Sequence, residues 1–215
     1  MKEHPILMNS AMVRATLAGS KTQTRRIINP QPQMVTEKRI EPWQGDPAAL
    51  RSLLAESGRK CPYGQHGEQI WVRETFAIDD DGYVESAVYR ADGMALPVLP
   101  ATRKPNKWRP SIHMPRWASR ILLEIVSVRV ERLNDCSEAD ALAEGISTVR
   151  THEWDAAHFP EWRRYFDEAC ARGEKPPVGP MPSQAYAALW EEINGAGSWA
   201  ANPWVWVIEF KRVTP

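Results

Sequence analysis

Apolar residues recur along this chain at helical spacing in some stretches and at strand spacing in others. After Asn9 or Ser10, either of which can cap a helix, Met12, Val13, Thr16 and Leu17 return at helical intervals, and Gly19 is placed to end that helix in a left-handed cap. Residues 5–7 read as a short extended entry, and residues 21–26 as a loop or the start of a strand. Turn formers at Asn29-Pro30, Gly45-Asp46-Pro47, Gly58, Cys61-Pro62-Tyr63-Gly64 and Gly67 mark a loop-rich stretch with a brief helix at 47–56. Residues 69–78, with Ile70, Val72 and Thr75 among aromatic and β-branched neighbours, predict one strand. Asp79-Asp80-Asp81-Gly82 reads as a turn into a partner strand at 83–90, and residues 103–116, with Pro105, Pro110 and Pro115, as a loop. A long β-rich run follows at 119–133. Ser137-Glu138-Ala139-Asp140 has the form of a capping signature for a helix stopping at Gly145. A helix is predicted over about 158–172, and another from a Ser183 cap to Asn194, ended by Gly195. Residues 204–213 close the chain as a strand with Trp204, Trp206, Ile208 and Phe210 on one face. Helices and strands do not alternate regularly and no repeat is present, which favours an α+β fold around a small, mostly antiparallel sheet or barrel.

Composition bounds this picture without redirecting it. The 215 residues, 43% hydrophobic, suffice for one domain with insertions. Lys+Arg and Asp+Glu both number 27, so net charge predicts no partner. Distribution says more. Residues 4–36 hold no acid but carry Arg14, Lys21, Arg25 and Arg26; residues 93–123 hold none but carry Arg103, Lys104, Lys107, Arg109, Arg116 and Arg120. Such windows have the composition of a local anion-binding face, provided the fold keeps each together. Trp108 and Trp117 interleave with Lys107, Arg109 and Arg116, as suits a surface where bases stack and phosphates pair. The three cysteines, Cys61, Cys136 and Cys170, are widely spaced, which argues for a reducing compartment. No apolar run approaches the ~20 residues of a membrane span, and the N-terminus lacks signal-peptide form. A cytoplasmic protein with no membrane association is expected.

Most familiar chemistries find no support. Cys61 with His66, and His152 with His158, do not make a four-ligand zinc set, so no metal is expected. The aspartate run lacks the distal glutamate of a calcium loop. Phosphate-binding glycine loops, dinucleotide fingerprints and nucleophile elbows are absent, so no cofactor is expected. Lys21 and Thr24 remain. A threonine hydroxyl needs a base to become a nucleophile, and a lysine among cations such as Arg25 and Arg26 can be one. The two arginines equally suit clamping a phosphate or carboxylate. On local chemistry alone this stretch reads as a solvated loop.

Order and context change that weighting. Gly19-Ser20-Lys21-Thr22-Gln23-Thr24-Arg25-Arg26 resembles the Gly-x-Lys-x-x-x-x-Arg signature of the ASCH domain, in the Gly-x-Lys-Thr-x-Thr-x-Arg form of the small bacterial amidohydrolases that deacetylate N4-acetylcytidine. Gly67-Glu68-Gln69-Ile70-Trp71-Val72, Ala143-Glu144-Gly145-Ile146 and Trp206-Val207-Ile208-Glu209-Phe210 fall in the family's order. Cys61-Pro62-Tyr63-Gly64, Trp71-Val72-Arg73-Glu74, the segment Arg109-Pro110-Ser111-Ile112-His113-Met114-Pro115 and Asn202-Pro203-Trp204 look like the larger phage- and prophage-borne members.

This resemblance implies a PUA-like, mostly antiparallel β-barrel with flanking helices: a single domain over 1–215 with insertions at about 29–66 and 147–182. It implies a cleft rimmed by Gly19–Arg26 that takes RNA or a modified nucleoside. There Lys21 would activate Thr24, Glu144 would protonate the leaving amine, and Arg26 would position substrate. Arg25, Trp71, Arg73, Glu74, Arg109, Arg116 and Trp117 complete the candidate binding set, with Glu74 the alternative acid should Glu144 point away. A non-catalytic RNA- or nucleic-acid-binding module and a ribonuclease using the same cleft stand as the other readings.

Overall fold

The computed structural model describes residues 1–35, 40–80, 85–96 and 106–213. Asp81 and Gly82 of the expected turn, and Arg103 to Pro105 of the expected loop, lie outside the described residues. In chain order the elements are β1 (Glu3–Leu7), α1 (Ser10–Leu17), β2 (Gln23–Ile27), β3 (Gln33–Val35), β4 (Ile40–Pro42), α2 (Pro47–Glu56), β5 (Gln69–Arg73), β6 (Phe76–Asp80) and β7 (Glu85–Tyr89). They continue with β8 (Leu122–Arg132), α3 (Glu138–Ala143), α4 (Ile146–Val149), α5 (His152–His158), α6 (Pro160–Ala171), α7 (Pro182–Asn194) and β9 (Trp204–Arg212). The chain divides into two compact units: Met1–Thr22, Arg59–Val128 and Ile208–Pro215 form the first, and Gln23–Gly58 and Arg129–Val207 the second.

The architecture is mixed α+β, but the expected closed, mostly antiparallel barrel is not what forms. Five strands pair in the order β1-β5-β8-β9-β2, with β1 parallel to β5, and β3-β4 and β6-β7 make two separate two-stranded sheets. Among the described residues no ladder joins β1 to β2. One cause is local. The run expected as one strand over 69–78 breaks at Glu74 and Thr75, where the Glu74 amide donates to the sulfur of Met114 instead of to a ladder carbonyl. Beyond the break, β6 pairs with β7 and does not extend the main sheet.

Other differences have equally local reasons. The stretch expected as loop at 29–67 contains the β3-β4 ladder, and its helix runs over Pro47–Glu56, capped by Asp46, whose carboxylate accepts from the Ala49 amide. The helix expected at 158–172 begins at Pro160, with α5 as a separate helix before it. A residue preceding proline is pushed out of the helical region, and Phe159 sits at φ −133°, ψ 58°. Ser183 lies inside α7 and does not cap it. Its amide donates to Glu138, which ties α7 to α3.

In the first unit, Phe76, Ile78, Met114 and Ala118 form a buried cluster. In the second, Val205 and Val207 of β9 pack with Leu133 and with Ala141 of α3 and Leu189 and Trp190 of α7.

The end of α1 sets up the motif. Gly19 has φ +76°, its amide donates to Thr16 and the Ser20 amide donates to Ala15, which is the paired hydrogen bonding of a Schellman cap. A Cβ at Gly19 would meet nothing within 4 Å, so the requirement for glycine is the left-handed backbone alone. Replacing Gly19 by Ala is therefore expected to destabilise the protein by about 1 kcal/mol. Gly19→Asn, which tolerates this backbone better, should lose less. Urea denaturation of both variants checks the order.

Candidate functional site

Past the cap, the Lys21 amide also donates to the Ala15 carbonyl, which turns the chain toward β2. The motif's polar side chains are then buried where the expectation from composition was solvent. Lys21, Gln23, Thr24 and Arg25 are all buried, Lys21 at 2% relative exposure. Burying four polar residues within five positions is expensive unless each is satisfied, and such concentrations mark sites.

The pleat of β2 divides them. Successive side chains on a strand point to opposite faces. Gln23 and Arg25 share a face: Arg129 donates to the Gln23 side-chain oxygen at 3.0 Å, and Arg25 reaches Glu131 at 3.1 Å, Asp140 at 3.4 Å and Glu144 at 3.4 Å. Thr24 and Arg26 consequently lie on the other face. Arg26 is half-buried there.

The Arg25 network belongs wholly to the second unit. Glu131 comes from β8, Asp140 from the first turn of α3 and Glu144 from the residue that closes α3. Arg129 donates to Asp140 at 2.8 Å and also to Glu131. The Arg25 side chain has no exposed surface. Burial works against its charge, but Cys136, Glu144, Tyr186 and Asp140 outweigh that and hold its pKa above the ordinary value. Burial pushes the Cys136 thiol up to about 12 and Tyr186 well above the usual phenol range, Tyr186 also hydrogen-bonding Glu144. Both are neutral at physiological pH, so the carboxylates carry the compensation. Asp140 is pushed up by burial, yet hydrogen bonds from the Ser137 hydroxyl and amide, with the charge of Arg25, hold it below the usual 3.8. Its contribution to stability is thus complete above about pH 3.8 and is lost as the pH falls through the lower folded value.

A second buried carboxylate lies in the first unit. Glu74, 1% exposed, sits at the break between β5 and β6. Arg120 grips it through Nε at 3.0 Å and Nη2 at 3.1 Å. The same guanidinium holds Asp92 at 2.9 and 2.7 Å and lies 3.9 Å above the Tyr89 ring. Burial raises the Glu74 pKa, Arg120 opposes the rise and Asp92 adds to it, leaving the carboxyl above the ordinary 4.5.

The remaining candidates gather on the first unit. The guanidinium of Arg73 lies 5.5 Å, and that of Arg116 5.9 Å, from the Trp71 ring. Arg73 also donates to the Ile112 carbonyl, and Arg116 to Glu3 at 2.6 and 3.2 Å. Trp117 and Ile112 are more than half exposed. Arg109 is bridged backbone to backbone with Phe76. Among the described residues no group of three His, Cys, Asp or Glu could hold a metal ion, and no helix is long and apolar enough to cross a membrane.

The acid-free windows acquire acids from elsewhere in the chain: Arg25 from Glu131, Asp140 and Glu144, Arg116 from Glu3, Arg120 from Glu74 and Asp92. Sequence reasoning passed over Gln23, Arg129, Glu131, Asp140 and Tyr186. The signal was the matched alternation of Gln23 and Arg25 on one strand with Arg129 and Glu131 on another. Compared with protein-family models, curated proteins and solved structures, the chain has no match.

Removing Arg25 leaves its carboxylates facing one another without their central cation. Arg25→Met is expected to destabilise the fold by about 3–5 kcal/mol. A urea midpoint near that of the unaltered protein would show the network to be dispensable.

Proposed function

We propose that the protein hydrolyses the exocyclic amide of a modified nucleoside of the N4-acetylcytidine type. Thr24 is the nucleophile, Lys21 its base and Glu74 the proton donor. The observation that carries this reading is the burial of the motif's lysine and threonine, each 2% exposed, where the charge and turn pattern alone suggested a solvated loop. An amine shielded from water suits the taking of a proton from a hydroxyl. Arg26, on the Thr24 face of β2, positions the base.

The choice between the two candidate acids rests on the partners of each. Glu144 is engaged by Arg25 and Tyr186 on the face that Thr24 does not share. Glu74 is buried, and its raised pKa suits a carboxyl that must hold a proton to give away. In the reaction, the Thr24 oxygen attacks the acetyl carbonyl as its proton passes to the Lys21 amine. The tetrahedral intermediate collapses, the C–N bond breaks, and Glu74 protonates the departing N4 amine. Water then attacks the acyl-threonine ester, giving one proton to the Glu74 carboxylate and releasing acetic acid as Lys21 returns its proton to the Thr24 oxygen.

Incubation with N4-acetylcytidine is expected to yield cytidine and acetate in equal amounts. Thr24→Ala and Lys21→Ala should abolish release, and Glu74→Gln should lower kcat by roughly 10²-fold or more. Glu144→Gln should lose stability while its folded fraction keeps its kcat. No cytidine from the unaltered protein, or an undiminished rate in Thr24→Ala, would sink the reading.

A second reading has its own observation. Trp71 flanked by Arg73 and Arg116, beside exposed Trp117 and Ile112, suits stacking of single-stranded RNA bases with phosphates on the arginines. In anisotropy titrations with a labelled single-stranded RNA, Trp117→Ala should weaken binding by about 1–3 kcal/mol. Arg73→Ala and Arg116→Ala should each flatten the salt dependence by about one phosphate contact. Absence of binding at low salt rejects it, and shortened RNA would instead point to a ribonuclease.

A further inference from the structure

We propose that Asp92 is a positioning residue for Glu74: by taking the second side of the Arg120 guanidinium, it leaves Glu74 able to keep and deliver a proton. The inference rests on the reading of Glu74 as proton donor.

A carboxylate gripped by an arginine through two nitrogens is ordinarily a poor acid, because the cation stabilises its ionised form. Glu74 is in that position, with Arg120 Nε and Nη2 on its two oxygens at 3.0 and 3.1 Å. Arg120 is not Glu74's alone. Its Nη1 and Nη2 donate to the two Asp92 oxygens at 2.9 and 2.7 Å, so Nη2 is shared and one positive charge serves two carboxylates. Of the two, Asp92 is one-third exposed and keeps water, whereas Glu74 has almost none. The desolvated member therefore bears the energetic cost of ionising beside a like charge, and burial acts in the same direction.

Other described residues fix this arrangement. Tyr89 of β7 supports Arg120 with its ring face, and its hydroxyl is spent on the Ala118 carbonyl. Asp92 sits in a short 3-10 turn over Arg90–Asp92, held by Arg14 of α1, which donates to the Ala91 carbonyl at 3.3 Å. Met114 receives the Glu74 amide. Among the described residues, the charged and titratable groups acting with Glu74 are Arg120, Asp92 and Tyr89.

Asp92→Asn tests this in the full chain. The variant removes the like charge and gives Arg120 entirely to Glu74. Followed by carboxyl-carbon NMR, the Glu74 titration should move to lower pH than in the unaltered protein. With N4-acetylcytidine as substrate, the descending alkaline limb of kcat should move the same way, with KM unchanged, and Asp92→Glu should restore both. A lowered midpoint with no hydrolysis by any form keeps the Asp92–Glu74 coupling and overturns the hydrolase reading. A Glu74 midpoint that stays put or rises overturns the inference whatever the activity, and leaves Asp92 a merely structural partner. Should Asp92→Asn not fold, Asp92→Ser carries the same test.

Discussion

A guanidinium with no exposed surface must be compensated from within the protein, and at Arg25 that need organises the second unit. Its acids come from β8 and from both ends of α3, so satisfying one charge fixes a helix against a strand. Apolar packing of α3 with α7 and β9 buries side chains but is indifferent to small shifts in register. Three ion pairs on one guanidinium are not indifferent. Such a network adds little net stability over an apolar replacement, yet losing one partner leaves charges that water cannot reach.

The same rule governs Glu74 in the first unit with the roles reversed. There an acid is buried and a more exposed arginine is brought to it, shared with Asp92. Arg25 has three carboxylates on one guanidinium, whereas Glu74 shares its arginine with Asp92, and Glu144 and Glu74 consequently suit different work. Glu144 is held as part of a structural lattice. Glu74 keeps a raised pKa, the property a proton donor requires.

Elements carrying their own boundary signals were legible in the sequence. The turn formers Gly45-Asp46-Pro47 and Gly58 bracketed α2, Ser137 with Asp140 marked α3, and Gly19 marked the end of α1. Elements whose limits depend on distant partners were not. The 69–78 run has continuous strand character, and it divides where the Glu74 amide meets Met114 from a loop forty residues on. Beyond that division β6 pairs with β7 and does not extend the main sheet. The split before α6 was readable in principle, since Pro160 dictates the backbone of Phe159.

For the site, local spacing singled out Lys21, Thr24 and the neighbouring arginines, because a motif is a covalent fact that folding cannot rearrange. Exposure, face and partner are not covalent facts. The sequence determined that a left-handed glycine would deliver a basic segment into a strand, and that its two arginines would fall on opposite sides of the pleat. Only the tertiary structure decided that this segment would be buried. It likewise decided that Arg25 would spend its charge on Glu131, Asp140 and Glu144, and that Glu74 would share its arginine with Asp92. The physical reason is range. Backbone conformation and side-chain alternation are set within a few residues, whereas the solvation and pairing of a charge are set by whatever the whole chain brings to within a few ångströms of it.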